Sequence, residues 1–221
     1  LLRSAVGARP VETRSLRRSQ APQRDGNVIT WRSAPLGVSG TWCADTVPIA
    51  APLLDNEDGT IQWNCLMPRA DARVTCGDET WAGHGYVEML HVTISPNRLP
   101  FRTLRWGRHL SERHAVVWIE WEGEIHRRWV WVDGVQQAAA CLTATGLDLG
   151  DGRTIRFSAS RDLRNQPVEA NLPAAAAPVR RRLRLAIGGM QEHKLLSRSS
   201  LLAADGAPLD TGWTIHEEVT W

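Results

Sequence analysis

The sequence predicts an all-β fold, an antiparallel barrel or sandwich, and three observations carry that prediction. Short runs of β-branched and aromatic residues recur along the 221 residues. Clusters of Gly, Pro, Asn and Asp separate them about every 8–12 residues, the spacing of strands joined by turns. No long stretch shows the 3.6-residue apolar period of an amphipathic helix, and no repeat of solenoid period is present.

Taken in order, residues 1–25 are rich in Arg, Ser, Gln and Pro without periodicity, and read as a flexible or truncated arm. Strands follow over 27–33 and 38–44, around the turn Ala34-Pro35-Leu36-Gly37. The segment 47–58 holds two prolines and an NEDG turn. In 60–67 (TIQWNCLM) alternation puts Ile61, Trp63 and Cys65 on one face; 72–76 is a further short strand. Three apolar runs, 85–94, 115–121 and 129–133, are bounded by SPNRLP, EGE and the Asp133-Gly134 pair. Residues 135–145 form a strand candidate with an alanine run, followed by a GLDLGDG turn. Residues 153–161 alternate well. The proline- and alanine-rich 162–180 reads as a loop or short helix, and 180–187, 191–200 and the closing GWTIHEEVTW read as strands.

A net charge of +2 offers no reason to expect nucleic acid as a partner. No apolar run approaches the roughly 20 residues of a membrane helix, so no integral membrane segment is expected, while peripheral contact stays open. The first residue is Leu and the opening lacks a leader pattern, so the start reads as a truncation. Cys43, Cys65, Cys76 and Cys141 lack CxxC spacing and are too few for a disulfide scaffold. Free thiols in a reducing compartment follow, which favours the cytoplasm.

The stretch 81–133 carries the candidate chemistry. It holds six of the eleven Trp, the only Tyr and five of the seven His. By alternation His84, Tyr86 and Glu88 share one strand face, and His91 lies on the other. That parity argues against a His84–Glu88–His91 metal site, and no metal is expected. His91, His109, His114 and His126 read as strand-end or surface residues. Arg105 and Arg108 fall on opposite faces; one is expected to pair with Glu88, Glu120 or Glu122 and the other to be solvated. An acid among Tyr86, Trp81, Trp106, Trp118 and Trp121 has two readings. A carboxyl in an apolar pocket can donate a proton to an alkene while Trp faces stabilise the cation. The same carboxyl can pair with a nearby arginine and tie strands together. His84 would orient Tyr86 or Glu88 by a hydrogen bond. No phosphate loop, nucleophile elbow or dinucleotide fingerprint is present.

WAGHGYVEML (81–90), LRWGRHL (104–110) and GWTIHEEVTW (212–221) resemble, in that order, segments of the hydroxyneurosporene synthase family, or carotenoid 1,2-hydratases. These belong to a wider group of lipocalin-like proteins that includes some fungal Diels–Alderases. The resemblance implies a lipocalin-like antiparallel β-barrel within a two-barrel arrangement. Residues 26–145 would form the barrel carrying the site, and 146–221 a second, partial barrel packed on it. It further implies cofactor-independent hydration of an isoprenoid double bond, with Glu88 where the hydratases carry Asp and Met89 where they tend to have His. His216, in the closing motif, becomes a ligand-binding candidate. The expectation is thus a cofactor-free hydratase or cyclase acting on an apolar isoprenoid-like ligand. A non-catalytic carrier of that ligand and a pericyclase working by shape alone are the alternatives, so whether the chain is an enzyme stays open.

Overall fold

The computed structural model describes residues 20–44, 46–171, 181 and 189–221. Among these, fifteen strands form two antiparallel sheets. The six-stranded sheet holds β1 (Gln23–Asp25), β2 (Val28–Ser33), β3 (Val38–Cys43), β4 (Ile49–Asn56), β5 (Gly59–Cys76) and β6 (Glu79–Val92). The nine-stranded sheet takes β7 (Phe101–Ser111), β8 (Ala115–Gly123), β9 (Arg127–Val132), β10 (Val135–Gln136), β11 (Cys141–Thr143), β12 (Gly146–Asp148), β13 (Thr154–Pro167), β14 (Gln191–Leu202) and β15 (Pro208–Thr220). Its spatial order is β10-β9-β8-β7-β15-β14-β13-β12-β11. The fold class is therefore the expected all-β, lipocalin-like one.

The runs 60–67 and 72–76 are one 18-residue strand. Its register against β6 shifts between Cys65 and Met67 and again before Ala70. Pro68, which has no N–H to give to a ladder, sits in that irregularity. β5 pairs with β4 through its first half, with β3 through its second, and with β6 along its whole length.

The nine-stranded sheet is curled, and its packing shows why. Val116, Trp118, Val130 and Val132 from β8 and β9 form one buried cluster with Leu147, Ile155 and Leu201 from the far side of the strand order. Strands on opposite flanks can share a core only if the sheet bends around it. The opposite face of β8 sends Val117, Ile119 and Trp121 into a second core with Ile61, Trp63 and Cys65 of β5. Alternation along β8 thus feeds both cores, and all seven residues from Ala115 to Trp121 are buried. That is why this run carries no polar face apart from Glu120. Gly107 of the LRWGR motif permits the inner packing. A Cβ there would lie 2.2 Å from Trp118 Cζ2, so the indole ring occupies the space a side chain would need.

The strands divide between the sheets after β6, across 93–100. Several expectations change. Residues 135–145 are not one strand: β10 closes a two-residue hairpin on Asp133 and Gly134, both at positive φ, and β11 starts only at Cys141. β12 occupies the first half of the presumed GLDLGDG turn. β13 continues to Pro167, beyond the expected end at 161. The register against β14 shifts between Ser158 and Arg161 and again between Asp162 and Arg164, and Ala159 takes a φ of 46°. Such a bulge resets the two-residue period, which hides the continuing strand. Residues 1–19, 172–180 and 182–188 lie outside the described residues, and with them most of the expected arm and the 180–187 strand.

Candidate functional site

A cavity of about 380 Å³ opens between the two sheets. β5 and β6 contribute Ile61, Trp63, Glu88 and Leu90; β7, β8 and the chain end contribute Leu104, Trp106, Trp121 and Trp221. Its walls are held by stacked rings: Phe101 on Trp121 at 4.5 Å, Trp63 on Trp131 at 4.9 Å, and Trp221 edge-on to Phe101 at 5.2 Å. Such pairs contribute about 0.5–1.5 kcal/mol each beyond their buried area, so the walls are preformed.

Glu88 stands at the rim of this cavity as an exposed residue whose oxygen Oε2 is nonetheless fixed. Trp63 Nε1 donates to it at 2.6 Å and Tyr86 Oη at 2.8 Å. Opposite Glu88 in the register is Cys65, fully buried, whose thiol is pushed up to about 12, first by burial. Burial, and then the Glu88 carboxylate, raise the Tyr86 phenol well above its ordinary value, so it stays a donor. Two further acids line the cavity, Glu192 and Glu217. Each has a cation: Arg164 donates to Glu192 at 2.6 Å, and Lys194 Nζ lies 2.5 Å from Glu217.

The candidates of the sequence reading scatter around this cavity. Tyr86, Glu88, Trp106 and Trp121 come together at it, Tyr86 through its bond to Glu88 and its edge contact with Trp106 at 5.9 Å. His84 does not reach Tyr86 or Glu88; its Nε2 lies 3.2 Å from Glu112 Oε2. His84 and Tyr86 both line a smaller neighbouring cavity, and there the His84 imidazole turns to Glu112. Trp81, paired with Val74 near the start of β6, lines none of the cavities described here.

Trp118 and His216 line a different cavity, of about 600 Å³, inside the curled sheet. Trp118 stacks on Phe157, and Phe157 on His216 at 4.6 Å. Burial, and secondarily His193, pull the His216 imidazole below its ordinary value. This inner cavity is charged. Arg105 donates to Glu218 at 2.7 Å, Glu122 at 2.5 Å and Glu120 at 3.2 Å, and Arg128 donates to Glu120 at 2.8 Å. Glu120, Glu122 and His126 bring ligand-type atoms within 4.8 Å of one another. Glu120 is already engaged by both arginines, so the group forms an ion-pair network.

Arg105 and Arg108 do take opposite faces, but Arg108 is not solvated as expected. It is half-buried, with its guanidinium 4.5 Å from the Tyr86 ring centre and 5.2 Å from that of Trp106. His109, expected at the surface, is fully buried beside Ser199 Oγ at 2.7 Å. The sequence reading also left out Trp63 and Trp221. Trp63 could have been found: it shares its face with Cys65, the residue opposite Glu88. Trp221 and Arg108 needed the pairing of β15 with β7.

The fold and its cavities define a class, an all-β lipocalin-like protein with a ligand-sized cavity between its sheets. Within that class the chain is similar to a solved structure described as "Crystal structure of CghA with Sch210972", at a TM-score of 0.51 and 11% identity. The match covers 87% of this chain and 64% of that one. A second structure, "Crystal structure of CghA", matches at a TM-score of 0.46 and 9% identity over the same shares. The chain thus spans under two thirds of the length of these structures. No protein-family model and no curated protein matches the chain, so the resemblance to the carotenoid 1,2-hydratases rests on its three quoted motifs.

Proposed function

We propose that the chain binds an apolar, unsaturated small molecule between its two sheets and promotes its cyclisation by shape, as a cofactor-independent pericyclase. The observation that carries this reading is the aromatic-walled cavity of about 380 Å³ with preformed stacked walls. Holding a flexible polyene in a reactive fold lowers the barrier through orientation alone, an effect that can supply several kcal/mol. The similarity to the fold of CghA, whose structure was solved with Sch210972, supports a fold able to host a compound. The hydratase reading needs Glu88 as a proton donor in a dry setting. Here Glu88 is exposed, and its Oε2 serves as acceptor for Trp63 and Tyr86, which suits a positioning role for the walls.

The test is turnover of linear substrates carrying a diene and a separate alkene, with stereoisomers resolved by chiral chromatography. One isomer is expected to accumulate faster with protein than without. Leu90→Trp, at an exposed position on the cavity rim, is expected to abolish that excess while leaving the melting temperature unchanged. Identical rates and isomer mixtures with and without protein, for polyenes shown to bind, would reduce the chain to a carrier.

A further inference from the structure

Beside the inter-sheet cavity lies a smaller one of about 160 Å³, lined by His84, Tyr86, Arg108, Leu110, Leu196 and Ile215, among others. Tyr86 and Trp106 form the partition, since Trp106 lines the larger cavity and Tyr86 the smaller, with their rings in edge contact. The guanidinium of Arg108 lies against both rings at that partition. A guanidinium carries five N–H donors, and a half-buried cation held against aromatic rings has donors to spare for a ligand. Arg108 makes no hydrogen bond and no ion pair among the described residues. The two acids whose fields reach it among the described residues are committed elsewhere, Glu88 to Trp63 and Tyr86 and Glu217 to Lys194. Glu88 and Glu217 act on Arg108 through their field only, and burial draws its pKa down. The cation–π contacts orient the group without using its donors.

We infer that Arg108 is the recognition group for a carboxylate at the end of an otherwise apolar ligand, with the hydrocarbon part in the inter-sheet cavity. The inference rests on that cavity being the ligand site. A planar guanidinium matches a carboxylate with two parallel hydrogen bonds, and the small cavity has room for such a head group and little more. Leu110, Leu196 and Ile215 give the small cavity apolar walls, which lower the local dielectric and strengthen such a pair.

The experiment compares dodecanoate with dodecanol, ligands of one chain length, by quenching of intrinsic Trp fluorescence; Trp106 itself touches the guanidinium. The wild-type protein is expected to bind dodecanoate about 10- to 100-fold more tightly, the span of a charge-assisted pair. Arg108→Met should erase that preference, leave the affinity for dodecanol in place, and melt no lower than wild type, because the guanidinium holds no hydrogen bond or ion pair that the fold would lose. Arg108→Lys should keep a reduced preference. Equal binding of the two ligands by the wild type overturns the inference while sparing the cavity as a site. Binding of neither overturns both. A marked fall in the melting temperature of Arg108→Met would make the group a structural cation and also overturn it.

Discussion

The two larger cavities share a wall and have opposite chemistry. β8 supplies both, sending Ile119 and Trp121 to the cavity between the sheets and Trp118, Glu120 and Glu122 to the one inside the curled sheet. The first is aromatic, and Glu88, which has no cationic partner among the described residues, is held by neutral donors. The second has a mesh of carboxylates and guanidinium groups that satisfy one another. A cavity whose charges are already paired has little left to offer a ligand. A cavity with preformed apolar walls and a few unspent polar groups is the better host. Cavity volume alone would point to the charged one.

That contrast breaks most visibly at Glu120. It is buried, and although burial opposes its charge, hydrogen bonds from Arg128, His126 and Arg105 win and hold its carboxyl below the usual carboxylate range. Glu120→Gln takes from Arg128 its carboxylate partner, while Arg105 keeps Glu122 and Glu218, and should cost about 3 kcal/mol in a denaturant melt. With the folded pKa depressed, the contribution of Glu120 is complete above the ordinary value of 4.5 and is lost as pH falls below it.

His109 gives the next largest effect, in a separate pH window. Burial lowers its pKa from 6.5 to about 4, and its Nε2 has no partner among the described residues. The folded protein holds it neutral while the unfolded chain takes up a proton below 6.5, so stability is complete above that value and declines as pH falls toward 4. The loss should reach about 3 kcal/mol. Melting curves between pH 4.5 and 7 should show the decline, and His109→Gln should flatten it.

Glu88→Gln sharpens the comparison with the smallest effect. The amide oxygen can still accept from Trp63 and Tyr86, and the residue is exposed, so stability should change by less than about 1 kcal/mol. Turnover in the cyclisation assay should stay within severalfold of wild type. A loss of about a hundredfold or more, the signature of a missing general acid, would restore the proton-donor reading.

Much of this arrangement could be read along the chain. Period-two alternation and recurrent turn residues specify strands, because successive side chains point to opposite faces whatever the strand pairs with. The all-β class, the Trp-rich strands, the opposed faces of Arg105 and Arg108, and the proximity of Tyr86 to Glu88 follow from that local rule. Alternation cannot say which face of a strand meets which core. Alternation puts Trp118 and Trp121, three residues apart, on opposite faces of β8, but only the curl of the nine-stranded sheet decides that those faces meet different cores. Nor can it name a side chain's partner: His84 shares its face with Tyr86, yet its ring lies against Glu112, a residue just past the end of β7. Pairing across more than a hundred residues, as between β7 and β15, brings Arg105 to Glu218 and sets Trp118 across Gly107 beside His216. Those contacts depend on sheet order and curvature, which tertiary packing alone decides.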